Sequence, residues 1–312
     1  MAENKYVTKK VEFAKVIFNY RAAQSGKEVT PITLTDILQH KDIQSIKNNI
    51  PDKKYQQLTI LADNPEYIIG AVITTSISGI PPKHNFNNNS TEGLDLTPEE
   101  GLGYANVFLY YKTKEVMLYE FNRNGCYLSA FTELLQQICG HIYRDTYITL
   151  EFFPLLQKDT YETFQTMRLY KTINCVVAKP TKILAEKEEH DQANEALSVI
   201  TKDTEDFNAD TVELTYNVNI KNDSTGLTPG KVKNFVSKLF GKYELQKLVV
   251  SGLLEDPENK KVQDINLLIQ TLKGDLKLKE PKILTTLLLP EREKAIIKVY
   301  EKNKEEIDAI IQ

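Results

Sequence analysis

The sequence predicts an α+β protein, with an N-terminal antiparallel-sheet domain under covering helices and a smaller C-terminal domain of split β-α-β-β-α form. Three observations predict it. Alternating segments rich in β-branched and aromatic residues recur up to residue 178; two well-separated segments there carry helical apolar spacing; and strand and helix patterns resume after an acidic interruption.

The first strand is KKVEFAKVIFNY (9–20). Thr33 to Ile50 reads as a helix with Ile37, Leu38, Ile43 and Ile46 on its apolar side and Pro51 beyond its end. YQQLTILAD (55–63) and EYIIGAVITTS (66–76) are strands, and the proline- and asparagine-rich stretch 78–101 is expected to be a mobile polar excursion. GYANVFLYYKTKEVMLYEF (103–121) is a hairpin about the turn KTKE. Residues 125–141 form a helix, apolar at Leu128, Phe131, Leu134, Leu135 and Ile138, with Gly140 suited to the position just past its end. TYITLEFFPLL and MRLYKTINCVVAKP are strands separated by a short helical turn.

Residues 180–210 change character. Nine acids against Lys187 and Lys202 between Glu186 and Asp210 give −7, which leaves +3 for the rest of a chain whose net charge is −4. The partition is therefore 1–180 as the first domain, 181–210 as an acidic helical linker and 211–312 as the second domain. In that second domain TVELTYNVNI is a strand, TPGKVKNFVSKLF a helix, YELQKLVVSGLL a strand, VQDINLLIQTLKGDLKLK one or two more, and 290–312 a closing helix. The apolar stripe of that helix, Ile296, Ile297, Tyr300, Ile307 and Ile310, suits either its own sheet or another subunit.

A chain of 312 residues with 41% hydrophobic residues is large enough to bury a core. It carries no run long enough for a membrane helix and no secretory pattern at its start, so a cytoplasmic location is expected. Cys126, Cys139 and Cys175 lack metal or redox spacing and are expected to be free thiols.

GLTPGKVKNFVSKLFGK (226–242) resembles a phosphate-binding loop but fails its chemistry. Three residues rather than four separate Gly226 from Gly230, Pro229 lacks an N–H, and Val232 stands where a hydroxyl should bind magnesium. Thr228 as N-cap, Pro229 in the first turn and the stripe Val232, Phe235, Val236 and Leu239 describe an amphipathic helix instead. Residues 228–247 hold five lysines and one glutamate, the densest positive window of the chain. Lys231, Lys233, Lys238, Lys242 and Lys247 are the candidate nucleic-acid contacts, with a solvated helix face as the alternative. Of the cations 34 are Lys and five Arg, so contacts would fall on phosphate rather than base edges.

His40, His84, His141 and His190 lie in separate contexts; no zinc spacing, nucleophile elbow or dinucleotide fingerprint is present. His141 suits a helix C-terminus. Glu120 and Glu151, in apolar strands, are the carboxylates a metal-dependent nuclease would use, and otherwise read as outward strand residues. Tyr104, Phe108, Tyr110, Tyr111, Tyr119, Phe121, Phe152 and Phe153 could stack bases, but their occurrence on both strand faces assigns most of them to the core. No catalytic residue, metal, cofactor or small-molecule substrate is expected.

The order of GYANVFLYYKTKEVMLYEFNRNGCYLSAFTELL, ITLEFFPLLQKDTYETFQTMRLYKTINCVVAKP, the lysine helix and DINLLIQTLKGDLKLKE resembles the layout of the RexA-type phage-exclusion proteins and related antiphage proteins, over residues 103–285. The excursion at 78–101 and the acidic linker depart from that layout. The resemblance implies a two-domain, homodimeric, cytoplasmic protein that binds DNA with little sequence preference in antiphage defence, beside a membrane or effector partner encoded nearby. A metal-dependent nuclease and a protein-interaction module built on the closing helix are the other readings.

Overall fold

The computed structural model describes residues 5–22, 31–50, 54–144, 146–178, 207, 209–219, 224–242, 244–254, 262–281 and 287–311. It has an α+β fold of two units: Met1–Phe152 with Lys273–Asp308, and Phe153–Leu272 with Ala309–Gln312.

The first unit is built on an eight-stranded sheet. Its strands are β1 (Tyr6–Ala22), β2 (Lys47–Ile50), β3 (Lys54–Asp63), β4 (Tyr67–Ser76), β7 (Leu102–Tyr111), β8 (Val116–Phe121), β9 (Thr146–Pro154) and β14 (Lys273–Lys279). They run in the order β14-β1-β8-β7-β4-β3-β2, and β9 also pairs with β1. Strand alternation gives the sheet two buried faces. Ala14, Val16, Leu58, Ile68, Phe108, Tyr110, Met117 and Tyr119 pack under α2 (Leu128–Ile142), whose Phe131 stacks on Tyr119 at 5.1 Å. On the opposite face lies the closing helix α5 (Leu289–Ile310), with Ile296, Val299, Tyr300 and Ile307 buried. It approaches closely: a Cβ at Gly274 of β14 would stand 2.4 Å from Val299, so only glycine fits there. The apolar stripe of α5 is thus used within its own unit.

Polar groups fix this helix in place. Glu120, 0% exposed, pairs with Arg292 and accepts the Val107 N–H at 3.1 Å, while the Arg292 Nε donates to the Leu287 carbonyl at 2.8 Å. Glu120 is therefore an inward-facing structural residue, not an outward strand position. Farther along, the Tyr300 hydroxyl donates to Glu66 at 2.7 Å and Lys304 pairs with the same carboxylate.

Two expected helices differ in extent. Thr33 does begin α1 (Leu34–Leu38) through a capping box with Asp36. The helix stops after those five residues, however: Ile43–Ser45 form a 3-10 turn and Lys47–Ile50 pair with β3. Asn48 and Asn49 are poor helix formers, and strand pairing with the Asn48 side chain donating to Gln56 prevails. Gly140 lies inside α2, which continues to Ile142 and is closed by the Tyr143 N–H on the Cys139 carbonyl at 2.7 Å. The polar excursion carries a small hairpin, β5 (Lys83–Asn85) with β6 (Ser90–Glu92), turned at Asn89 with φ 54° and tied by a 2.9 Å Lys83–Glu92 pair.

The second unit has a four-stranded antiparallel sheet in the order β11-β10-β12-β13. The strands are β10 (Leu169–Ala178), β11 (Thr211–Asn217), β12 (Glu244–Leu253) and β13 (Val262–Asn266). Val232, Val236 and Leu239 of α4 (Pro229–Lys242) and Phe164 of α3 (Lys158–Gln165) share a core with Tyr170, Ile173, Cys175, Leu248 and Val250.

The contiguous partition 1–180 and 211–312 is corrected on two counts. β10 belongs to the second sheet, because it pairs with β11 and β12. β14 and α5 belong to the first unit, because β14 pairs with β1 from Tyr6↔Lys279 to Glu12↔Lys273. The second unit is therefore an insertion, and the expected β-α-β-β-α domain loses its last strand and helix. The acidic linker expected at 181–210 lies outside the described residues except for Phe207, Ala209 and Asp210.

Two outcomes follow from the α5 contacts. Arg292→Ala strands a buried carboxylate and should cost about 3–5 kcal/mol in urea unfolding, with part recovered when Glu120→Gln and Arg292→Met are combined. Hydrogen bonds from Lys304 and Tyr300 hold the Glu66 carboxyl below its ordinary 4.5. Its stabilisation is present above that pH and is lost as the pH falls through the lowered pKa, so the stability gap between wild type and Glu66→Gln should close in acid.

Candidate nucleic-acid interface

The helix α4 begins at Pro229, with the Val232 N–H on the Thr228 carbonyl at 3.0 Å, as an amphipathic reading of this stretch requires. The glycine loop before it is strapped to β10: the Leu227 N–H donates to the Tyr170 carbonyl at 2.7 Å, and the buried Lys171 ammonium donates to the Thr225 carbonyl at 2.5 Å. Those loop groups are engaged by the sheet rather than arranged around a phosphate.

The candidate lysines whose side chains are described, Lys231, Lys233 and Lys247, do not form one surface. Lys231 is exposed in the first turns of α4. Lys233 donates to the Gln165 carbonyl at 3.0 Å, and so closes the carbonyl end of α3. Lys247 neighbours Leu248, which points into the core beneath α4, so strand alternation sends Lys247 to the opposite sheet face. The side chains of Lys238 and Lys242 lie outside the described residues. A count along the sequence put together charges that the pleat separates.

Glu120 is committed to Arg292. Glu151 is half-buried in β9. His141 occupies the last turn of α2, as its dipole favours. His84 contacts the Thr91 hydroxyl, His40 lies edge-on to Tyr143, and His190 falls outside the described residues. Among the described residues no three His, Cys, Asp or Glu side chains are grouped to hold a metal ion. The cysteines are free and buried, and burial pushes the thiols of Cys126 and Cys139 up to about 12 and Cys175 to about 11.

A positive surface that the window count missed lies on the first unit. In the β1–β14 ladder Tyr6 faces Lys279, Thr8 faces Lys277, Lys10 faces Asp275 and Glu12 faces Lys273, all on the sheet face shared with Ala14 and Tyr119. The residues between them, Gly274, Leu276 and Leu278, are buried on the α5 side. The pattern of KGDLKLK is thus an edge strand with one apolar and one charged face. Lys10 and Asp275 pair at 2.6 Å, and that hydrogen bond holds the Asp275 carboxyl below the usual range. Burial raises the Glu12 carboxyl, against the opposing pull of Lys273. Lys277 and Lys279 are exposed.

On the same face, one pairing farther across, Lys10 stands opposite Phe121 of β8, whose ring lies 5.8 Å from that of Tyr127. α2 starts at Leu128, so it covers Tyr119 and leaves Phe121 beyond its end. The surface therefore combines ammonium groups with aromatic rings.

Residues 73–305 match the model of a family of unknown function, DUF6731. The chain belongs to that family. The match runs from within β4 into α5 and so includes Phe121, Tyr127 and β14, while the whole of β1 precedes it. No curated protein matches the chain. Among the described residues no helix is long and apolar enough to cross a membrane.

Proposed function

We propose that this DUF6731 member is a non-enzymatic, sequence-tolerant nucleic-acid-binding protein whose phosphate contacts lie on the charged face of the β1–β14 pairing. The supporting observation is the alignment of Lys10, Lys273, Lys277 and Lys279 on one sheet face, against the carboxylates of Asp275 and Glu12. Lys277 and Lys279, two residues apart on an extended strand, stand about 6.7 Å apart, with Asp275 between them and Lys273. Ammonium groups bind phosphate without the fork geometry that reads guanine, so affinity without sequence preference is the expected behaviour. Lys231 supplies a candidate contact on the inserted unit.

The resemblance in segment order to phage-exclusion proteins supplies the proposed setting, antiphage defence, with a homodimer and a membrane or effector partner encoded nearby. The occupation of Glu120 by Arg292 disfavours the nuclease reading, since a metal ligand there would leave the guanidinium unpaired.

The test is DNA affinity against salt for wild type and for the combined Lys10→Glu, Lys277→Glu and Lys279→Glu variant. Each lost phosphate contact lowers the log–log salt slope by about 0.7–0.9, so a slope shallower by about 2–3 and an affinity at least about tenfold weaker are expected. Unchanged affinity and slope would remove this face from the proposal.

A further inference from the structure

Large aromatic side chains lie open to solvent beside the lysines of the β1–β14 face: Tyr6 at 62%, Phe121 at 40% and Tyr127 at 45% exposure. Their placement is ordered. Phe121, Lys10 and Asp275 form one cross-strand row, and Tyr6 with Lys279 forms another, four residues along β1 or about 13 Å away. Tyr127 is held beside Phe121 because its hydroxyl donates to the Arg123 carbonyl at 3.1 Å. Two residues before Phe121, Tyr119 is buried and stacked on Phe131, so the exposure begins beyond the first turn of α2.

From this arrangement we infer that the face takes single-stranded nucleic acid, with bases stacked on Phe121, Tyr127 and Tyr6 and phosphates on Lys10, Lys277 and Lys279. The inference rests on the polyanion reading above and adds strandedness to it. A duplex keeps its base faces against one another and offers this surface only phosphate and sugar, which leaves the rings in water. An unpaired strand offers base faces, which aromatic side chains accept irrespective of sequence. The tie from Tyr127 to Arg123 sets one ring of the pair before a ligand arrives, which reduces the ordering that binding requires. The spacing of the two rows suits a track of about two or three nucleotides, the number a sheet platform of this kind stacks.

The experiment compares three fluorescently labelled probes of equal length, oligo-dT, oligo-rU and a mixed-sequence DNA duplex, by anisotropy at one salt concentration. Wild type should bind a single-stranded probe at least about tenfold more tightly than the duplex. Phe121→Ala with Tyr127→Ala should lose about tenfold per ring on single strands and leave duplex affinity unchanged. Because the chain has no tryptophan, Phe121→Trp adds a reporter that single strands should quench and the duplex should not. Equal affinity for single strand and duplex, abolished by the lysine reversals but not by the ring deletions, would overturn the stacking inference and leave phosphate binding standing. Absence of binding to all three probes would overturn both. A difference between oligo-dT and oligo-rU identifies DNA or RNA as the preferred strand.

Discussion

The antiparallel pairing of β1 with β14 joins Lys10 to Asp275, 265 residues distant, and the first unit depends on it. It brings α5 back across the sheet, supplies Gly274 beneath Val299 and gives the sheet its charged edge. Of the chain between the partners, Phe153–Leu272 folds as a unit with its own sheet and core. Loop-closure entropy grows only logarithmically with length, by about 0.6 kcal/mol per doubling, so an insertion of this size is compatible with the ladder.

The two faces of the sheet serve different ends. Under α5 the sheet buries apolar residues and one ion pair, Glu120 with Arg292. A buried pair contributes little net stability against apolar replacements, but it penalises any register in which the helix misses its partner. The face under α2 is apolar in its middle and polar and aromatic at the β1–β14 end, because α2 is too short to extend over it. What remains uncovered is a strip where lysine stems and aromatic rings meet solvent on a rigid base. A ligand on such a base would be met without the cost of ordering a loop.

Local pattern made much of this legible in the sequence. Strands β3, β4, β7 and β8, the KTKE turn, the apolar stripe of α2 and the start of α4 at Pro229 all follow from alternation, helical spacing and turn chemistry. Thr33 was readable as a helix start, but not the end of α1, since the pairing of Lys47–Ile50 with β3 is a tertiary choice that outweighs propensity. The domain partition failed for the same reason at larger scale: no local signal in KGDLKLK says that its partner is Tyr6–Glu12. The charge count failed in a related way. A linear window grouped Lys233 with Lys247, which the helix and the pleat direct apart, and it could not add Lys10 to Lys277, which the ladder brings together. The available signal was the alternation of Gly274, Leu276 and Leu278 with charged residues in β14, which marks one covered and one solvated face.

Hydrogen exchange with and without a saturating single-stranded oligonucleotide tests the central claim most directly, because it reports where a ligand rests without altering a residue. Slowed exchange concentrated in residues 6–12, 121–127 and 273–279 is the predicted result. Protection confined to residues 229–242, or absent from the β1–β14 ladder while the oligonucleotide is bound, would contradict it.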